Sequence, residues 1–180
     1  MIYFHKIKAI SNPYFNNFYQ LYSSAFPVNE QRSYSGLIKI LGNNNHFSAN
    51  AILNNDKFIG IFNYWEFEPF YFIEHFAIAN NLRGQHYGTD TMKSFLSQTQ
   101  LPVVLEVELP NTEVAIKRIQ FYERLGFSLL PNDYFQPPYG KEALPIPLFL
   151  MSNDKLFASN NFHFLKKVIH TEVYHFEYLS

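Results

Sequence analysis

Cysteine is absent from the 180-residue chain, which rules out disulfides, thiolate nucleophiles, zinc ribbons and iron–sulfur centres. Neither sign of charge is in excess: 14 Lys and Arg stand against 15 Asp and Glu, a formal −1 at pH 7. Without a basic stripe to neutralise phosphates, the chain is not expected to take nucleic acid as a partner. No apolar run reaches the ~20 residues of a membrane helix; the nearest, Ile59 to Ile73, carries Glu66, Glu68 and Pro69. The N-terminus, Met1 to Lys8, alternates apolar and polar residues and lacks the apolar stretch and cleavage site of a signal peptide. These absences predict a soluble, cytoplasmic protein with no membrane association. His-Glu-x-x-His and Gly-x-Ser-x-Gly patterns are also missing, so no metal site and no serine-hydrolase mechanism is expected.

What is abundant is aromatic: 20 Phe and 13 Tyr within a chain that is 47% hydrophobic. A chain of this length buries enough apolar surface to fold as one domain without staples. Period and punctuation then give an order of elements. Met1 to Lys8 reads as a strand. Ser11-Asn12-Pro13 starts a helix running to Ala25, with Phe15, Phe18, Leu21 and Tyr22 at helical spacing. A second helix is expected from Glu30 to Leu41, ended by Gly42-Asn43-Asn44-Asn45. His46 to Leu53, Phe58 to Phe67 and Phe70 to Ile78 read as three consecutive antiparallel strands parted by turn residues.

Beyond them lie a polar loop, Asn80 to Gly88, and a helix with Met92, Phe95 and Leu96 on one face. A strand from Val103 to Glu108 is stopped by Pro110, and Asn111-Thr112-Glu113 caps a helix that ends at Gly126. Phe127 to Leu130 and Ile146 to Met151 are short strand candidates on either side of a Pro- and Tyr-rich loop. Residues 153–180 read as helix in part, with Glu172 to Tyr178 open to either state. The order predicts an α+β sandwich: a mixed, mostly antiparallel sheet flanked by helices, with one parallel crossover.

Chemistry is expected where that crossover begins. A strand leading into Arg83-Gly84-Gln85-His86-Tyr87-Gly88-Thr89 and then a helix presents free amides and the positive end of a helix dipole together, which suits a diphosphate. Gly84 and Gly88 permit close approach of backbone, and Arg83 either forks onto phosphate or braces the loop. Taken alone, the same residues also read as ordinary turn punctuation.

Phe76-Ala77-Ile78, the Arg83 to Gly88 loop and Tyr122-Glu123-Arg124-Leu125-Gly126-Phe127, in this order, resemble the GNAT superfamily of acetyl-CoA-dependent N-acetyltransferases. The likeness covers residues 1–151, taken as a GNAT-like domain, with 152–180 as a C-terminal extension packed on that domain or on a partner subunit. It departs at His86, where the family's loop has its first glycine, and at Ala115 and Arg118 in the later helix.

The resemblance implies a GNAT-like fold and an acetyl-CoA donor held by Phe76, Ala77, Ile78, Arg83, Gly84, Gln85, His86, Tyr87, Gly88 and Thr89. It implies that Tyr122 protonates the departing thiolate. Direct transfer to an amine in a ternary complex fits the lack of cysteine. For the base, Glu74 comes first and Glu108 second, with Glu106 on the same strand face as Glu108; His75 reads as a hydrogen-bonded sheet histidine.

For the acceptor, a small molecule or a peptide amine, the segment joining the first helices and the late loop offer Glu30, Arg32, Tyr34, Tyr134, Gln136 and Tyr139. A stiffened loop packing its tyrosines on the sheet edge is the competing reading. The alternative to an enzyme is a non-catalytic member of the same fold that binds an acyl-CoA or a protein partner, with His86 marking decay of the coenzyme site. Monomer and homodimer both remain open.

Overall fold

The computed structural model describes residues 1–140 and 144–176. The chain forms two compact units, Met1–Glu68 with Ile73–Gln100, and Pro69–Phe72 with Leu101–Ser180.

The first unit contains β1 (Ile2–Lys6), α1 (Phe15–Ala25), α2 (Tyr34–Ile40), β2 (Phe47–Asn54), β3 (Lys57–Phe67), most of β4 (Phe70–Ile78) and α3 (Tyr87–Leu96). The strand order here is β1-β2-β3-β4, with β1 and β2, and β2 and β3, antiparallel. The β2–β3 hairpin turns on Asn55 and Asp56, both at positive φ (49° and 62°). Those are the signs a two-residue hairpin matched to strand twist requires, and Asn and Asp tolerate them.

Helix α1 buries Phe15, Phe18, Leu21 and Tyr22, the stripe its spacing predicts. The second helix starts later than expected. Glu30 closes a 3-10 turn (Val28–Glu30), Gln31 is extended, and the α-helix begins at Tyr34, capped by the Ser33 hydroxyl, which accepts from the Gly36 amide at 3.1 Å. The delay has a cause in α1: the Arg32 amide donates to the Tyr22 hydroxyl at 2.7 Å, which holds the chain out of helix at that point.

The second unit contains β5 (Val103–Glu108), α4 (Glu113–Glu123), β6 (Ser128–Gln136), β7 (Ile146–Ser152), α5 (Lys155–Asn160), α6 (Phe162–Val168) and a π-helical turn at Ile169–Val173. Its strand order is β5-β7-β6, antiparallel throughout, with Glu106 opposite Leu150 and Glu108 opposite Leu148. Thr112 caps α4 by accepting from the Ala115 amide at 3.1 Å, and Ala115, Ile119 and Tyr122 face inward.

Strand β6 is longer than the sequence predicts. Tyr134, Phe135 and Gln136, expected in a loop, pair with Leu148, Pro147 and Ile146 after a register shift between Leu130 and Tyr134. The shift absorbs a proline that has no N–H for the ladder, so the strand resumes instead of ending. The ambiguous C-terminal segment is helical: Ala158, Phe162, Leu165, Ile169 and Val173 are buried, and α5 packs on β6 and β7. The residues from Glu177 onward lie outside the described residues.

Candidate active site

In the first unit, the chain leaves β4 through a 3-10 turn (Asn80–Leu82) and enters the Arg83 to Thr89 loop. Arg83 does the bracing its position allowed, donating from Nε to the Ile78 carbonyl at 3.2 Å. Gly84 takes φ +77°, and an added Cβ there meets nothing within 4 Å; glycine is needed for the backbone sign, not for room. His86, the N-cap of α3, sits at φ 64°, ψ −1°. It therefore adopts the left-handed conformation in which glycine is free of strain, and histidine is among the side chains that visit it more often than most.

The first helical bond closing this turn runs from the Asp90 amide to the His86 carbonyl at 3.0 Å. The amides of His86, Tyr87, Gly88 and Thr89 thus precede any intrahelical acceptor, as at every helix start. Arg83, Gly84, Gln85 and His86 are exposed, while Tyr87, Gly88 and Thr89 are half-buried. Gln85 reaches back to the Asn81 carbonyl at 3.4 Å, and the Tyr87 hydroxyl accepts from Asn54 Nδ2 at 3.5 Å. Upstream, Ala77 and Ile78 are buried, and the Phe76 ring meets Phe62 edge-on at 5.3 Å. A helix start whose first amides lie outside the intrahelical ladder is the kind of place an anion suits.

The same unit brings two sequence candidates into contact. Arg32 Nη2 donates to Glu74 Oε1 at 2.8 Å, and Trp65 Nε1 donates to Glu74 Oε2 at 2.8 Å. The two charged side chains are 9% and 1% exposed, and the guanidinium lies 5.6 Å from the centre of the Trp65 ring. His75 is buried beside them, its Nε2 on the Glu30 carbonyl at 2.9 Å and its ring edge-on to Tyr22 and Phe26. Desolvation pushes its pKa below the ordinary imidazole value. Glu30 thus enters through its carbonyl, and Tyr34, 49% exposed, rests against Phe15 and Tyr19.

In the second unit, the Tyr122 ring packs against Phe121 and Phe127. Burial raises its phenol to about 12, with a smaller opposing effect from Arg118. Glu108 pairs with Arg118, and both side chains are partly open to water at 40% and 44%. Glu106 accepts from two phenols: the Tyr134 hydroxyl on Oε1 and, at 2.6 Å, the Tyr174 hydroxyl on Oε2. Tyr139 lies against the Tyr174 ring at 4.9 Å. Gln136 is buried two residues beyond Tyr134.

Sequence reasoning missed Tyr174 as a partner of Glu106, since 68 residues part them and no spacing rule connects a strand carboxylate to a segment after a π-turn. Among the described residues, no group of three or more His, Cys, Asp or Glu stands close enough to hold a metal ion. No helix of the described residues is long and apolar enough to cross a membrane.

The sequence model of the acetyltransferase (GNAT) family matches residues 15–127. The chain belongs to the GNAT acetyltransferase family. A solved structure assigned to GNAT acetyltransferases, from Bacteroides thetaiotaomicron, is 34% identical, with a TM-score of 0.93 over 97% of this chain and 99% of that one. The fold is accordingly the GNAT fold, a mixed, mostly antiparallel sheet flanked by helices.

More distant structures share that fold. Arabidopsis thaliana Naa50 in complex with the bisubstrate analogue CoA-Ac-MVNAL is 14% identical, with a TM-score of 0.58 over 84% of this chain and 97% of that one. An aminoglycoside 6′-N-acetyltransferase complexed with coenzyme A is 15% identical, with a TM-score of 0.55 over 84% of this chain and 95% of that one. No curated protein matches the chain by sequence.

Proposed function

We propose that the protein transfers the acetyl group of acetyl-CoA to a primary amine by direct attack in a ternary complex. The observation that carries this reading is the Arg83 to Thr89 backbone: left-handed at Gly84 and at His86, and delivered onto a helix start whose first amides precede any intrahelical acceptor. A glycine-like conformation held by a histidine keeps the amide row in place, so the departure at His86 leaves the diphosphate cradle intact. Neighbouring structures that contain coenzyme A or an analogue built on it support the same donor.

In the reaction the amine nitrogen bonds to the thioester carbon, the carbon–sulfur bond breaks, and the thiolate takes the phenol proton of Tyr122. With its pKa near 12 the phenol is neutral at physiological pH and carries the proton it must give. The proton lost by the amine leaves through water. Glu108, partly exposed and paired with Arg118, receives it through water; Glu74, almost fully buried, does so only if its contacts with Arg32 and Trp65 open. The acceptor is a small molecule or a peptide end, and the protein acts as a monomer or homodimer in the cytoplasm.

Thermal unfolding with and without millimolar acetyl-CoA tests the donor site. Ligand at ~100 times its dissociation constant stabilises the native state by about 2.7 kcal/mol. The expected result is a clear rise in melting temperature that Arg83→Ala diminishes, and amine-dependent release of free thiol. A rise with no release for any amine indicates the non-catalytic acyl-CoA-binding member; no rise with any acyl-CoA sinks the donor assignment.

A further inference from the structure

The buried ion pair of Arg32 and Glu74 is not something stability alone calls for, since apolar side chains of similar volume in place of such a pair are often neutral or stabilising. The groups that meet there differ in how they are held. Trp65 and Glu74 stand on β3 and β4, within the sheet, and each is 1% exposed. The Trp65 indole donates to Glu74 Oε2 at 2.8 Å, while Oε1 accepts from the guanidinium at 2.8 Å. That guanidinium lies 5.6 Å from the centre of the indole ring. A carboxylate beside an indole face is the combination that takes an organic cation, through charge-assisted hydrogen bonds and cation–π contact.

Arg32, by contrast, belongs to a short link between helices. Neither Gln31 nor Ser33 is helical, and Pro27 to Asn29 before it and Ser33 to Ser35 after it are exposed. Three hydrogen bonds fasten the link: the Arg32 amide to the Tyr22 hydroxyl at 2.7 Å, His75 Nε2 to the Glu30 carbonyl at 2.9 Å, and Gln31 Nε2 to the Ser23 carbonyl at 3.1 Å. Surface links of this kind open at lower cost than strands of a sheet. The cation can therefore leave while the carboxylate and the indole stay where the sheet holds them.

We infer that Glu74 and Trp65 form a binding site for an organic cation, which Arg32 fills from within the chain and which the acceptor, as an alkylammonium ion, enters by displacing it. Arg32 is thus a stand-in for the acceptor, and the link that carries it is an internal competitor. The inference rests on the acetyltransferase reading for the word acceptor, but the cation binding it describes is measurable without any acetyl transfer.

The test titrates the whole protein with ethylguanidinium, which restores the missing head group in Arg32→Ala, and with its neutral isostere N-ethylurea. Emission of Trp65, the single tryptophan of the chain, reports binding. A site open in about one molecule in ten shows an apparent affinity about tenfold weaker than the open site itself. Arg32→Ala is therefore expected to bind ethylguanidinium at least about tenfold tighter than wild type, and to gain melting temperature with it but not with N-ethylurea. Adding Glu74→Gln should abolish that preference, with melting temperatures establishing that each variant folds. Tyr22→Phe loosens the link and keeps the ion pair, so it should bind the cation about threefold to tenfold tighter than wild type, the effect of one hydrogen bond; it decides the matter should Arg32→Ala fail to fold. In acetyl transfer, ethylguanidinium should compete with the amine and not with acetyl-CoA. Equal affinity of wild type and the folded variants for the cation, an equal response to the urea, or a preference that survives Glu74→Gln overturns the cation site. Inhibition that added amine does not relieve overturns its use by the acceptor. Cation binding without any acetyl-CoA stabilisation leaves the site standing and removes the acetyltransferase reading.

Discussion

Arg32 and Glu74, 42 residues apart in the chain, form an ion pair of 2.8 Å in the first unit with almost no exposure to water. Such a pair is costly to break and cheap to replace, because removing one partner strands a desolvated charge while removing both does not. Arg32→Ala is expected to destabilise the protein by about 3–5 kcal/mol. The double change Arg32→Met with Glu74→Gln, which keeps an acceptor for Trp65 Nε1, should recover most of that loss. Urea denaturation of the single and double variants checks both values, and a double variant no more stable than Arg32→Ala defeats the account.

His86 holds a left-handed backbone that costs a side chain bearing Cβ about 1–2 kcal/mol. His86→Gly should raise stability by roughly 0.5–1 kcal/mol, the relief being offset in part by the greater freedom of glycine when unfolded. His86→Val, β-branched, should lower it by about 1–2 kcal/mol. The acetyl-CoA-induced rise in melting temperature should survive in the glycine variant and shrink in the valine one. Equal melting temperatures for all three proteins count against the strain.

Tyr122→Phe removes the phenol and leaves the ring. The expected outcome is a fall in kcat of at least about 10²-fold, the usual worth of a positioned acid, with acetyl-CoA stabilisation unchanged. Because burial lifts the phenol to about 12, its proton stays on throughout the neutral range. No decline in kcat between pH 7 and 10 should therefore trace to this residue. A basic limb centred below pH 10 that vanishes in Tyr122→Phe contradicts the assignment.

His170 is buried, and desolvation lowers its pKa to about 4. The unfolded chain takes up a proton near pH 6.5 while the folded one does not, so stability is full above pH 6.5 and falls as the pH drops toward 4. Loss of this one proton difference corresponds to a slope of about 1.4 kcal/mol per pH unit at most. His170→Gln, which keeps a donor for the Phe135 carbonyl, should flatten the stability profile between pH 4 and 6.5 by up to one proton relative to wild type. Denaturant titrations at several pH values read it, and an unchanged slope rules it out.

Much of the architecture was open to sequence reasoning because local rules governed it. Phe15, Phe18, Leu21 and Tyr22 recur at helical spacing, and α1 lies where they place it. The β2, β3 and β4 runs are bounded by turn residues and fall within a residue or two of their expected limits. The turn that delivers the chain onto α3 announced itself through Gly84 and Gly88. The start of α2 was not legible, since Tyr22, ten residues earlier, diverts Arg32. Nor was the length of β6: proline reads as a stop, and only pairing with β7 shows that the strand resumes. Tyr134 and Arg32 were visible as polar side chains, whereas their partners, Glu106 and Glu74, are fixed by contacts 28 and 42 residues away.

Strand β7 lies between β5 and β6 although it is made last of the three. A chain emerging from the ribosome therefore holds β5 without this neighbour until Ser152 has been synthesised. Through that interval, the ladder groups of Val104 to Glu108 that will face β7 stay unpaired, and such an edge invites association with other nascent chains. Production of this protein should accordingly respond to whatever sets the pace of elongation through residues 109 to 152, and to chaperones that shield strand edges, more than to changes in the codons that precede β5.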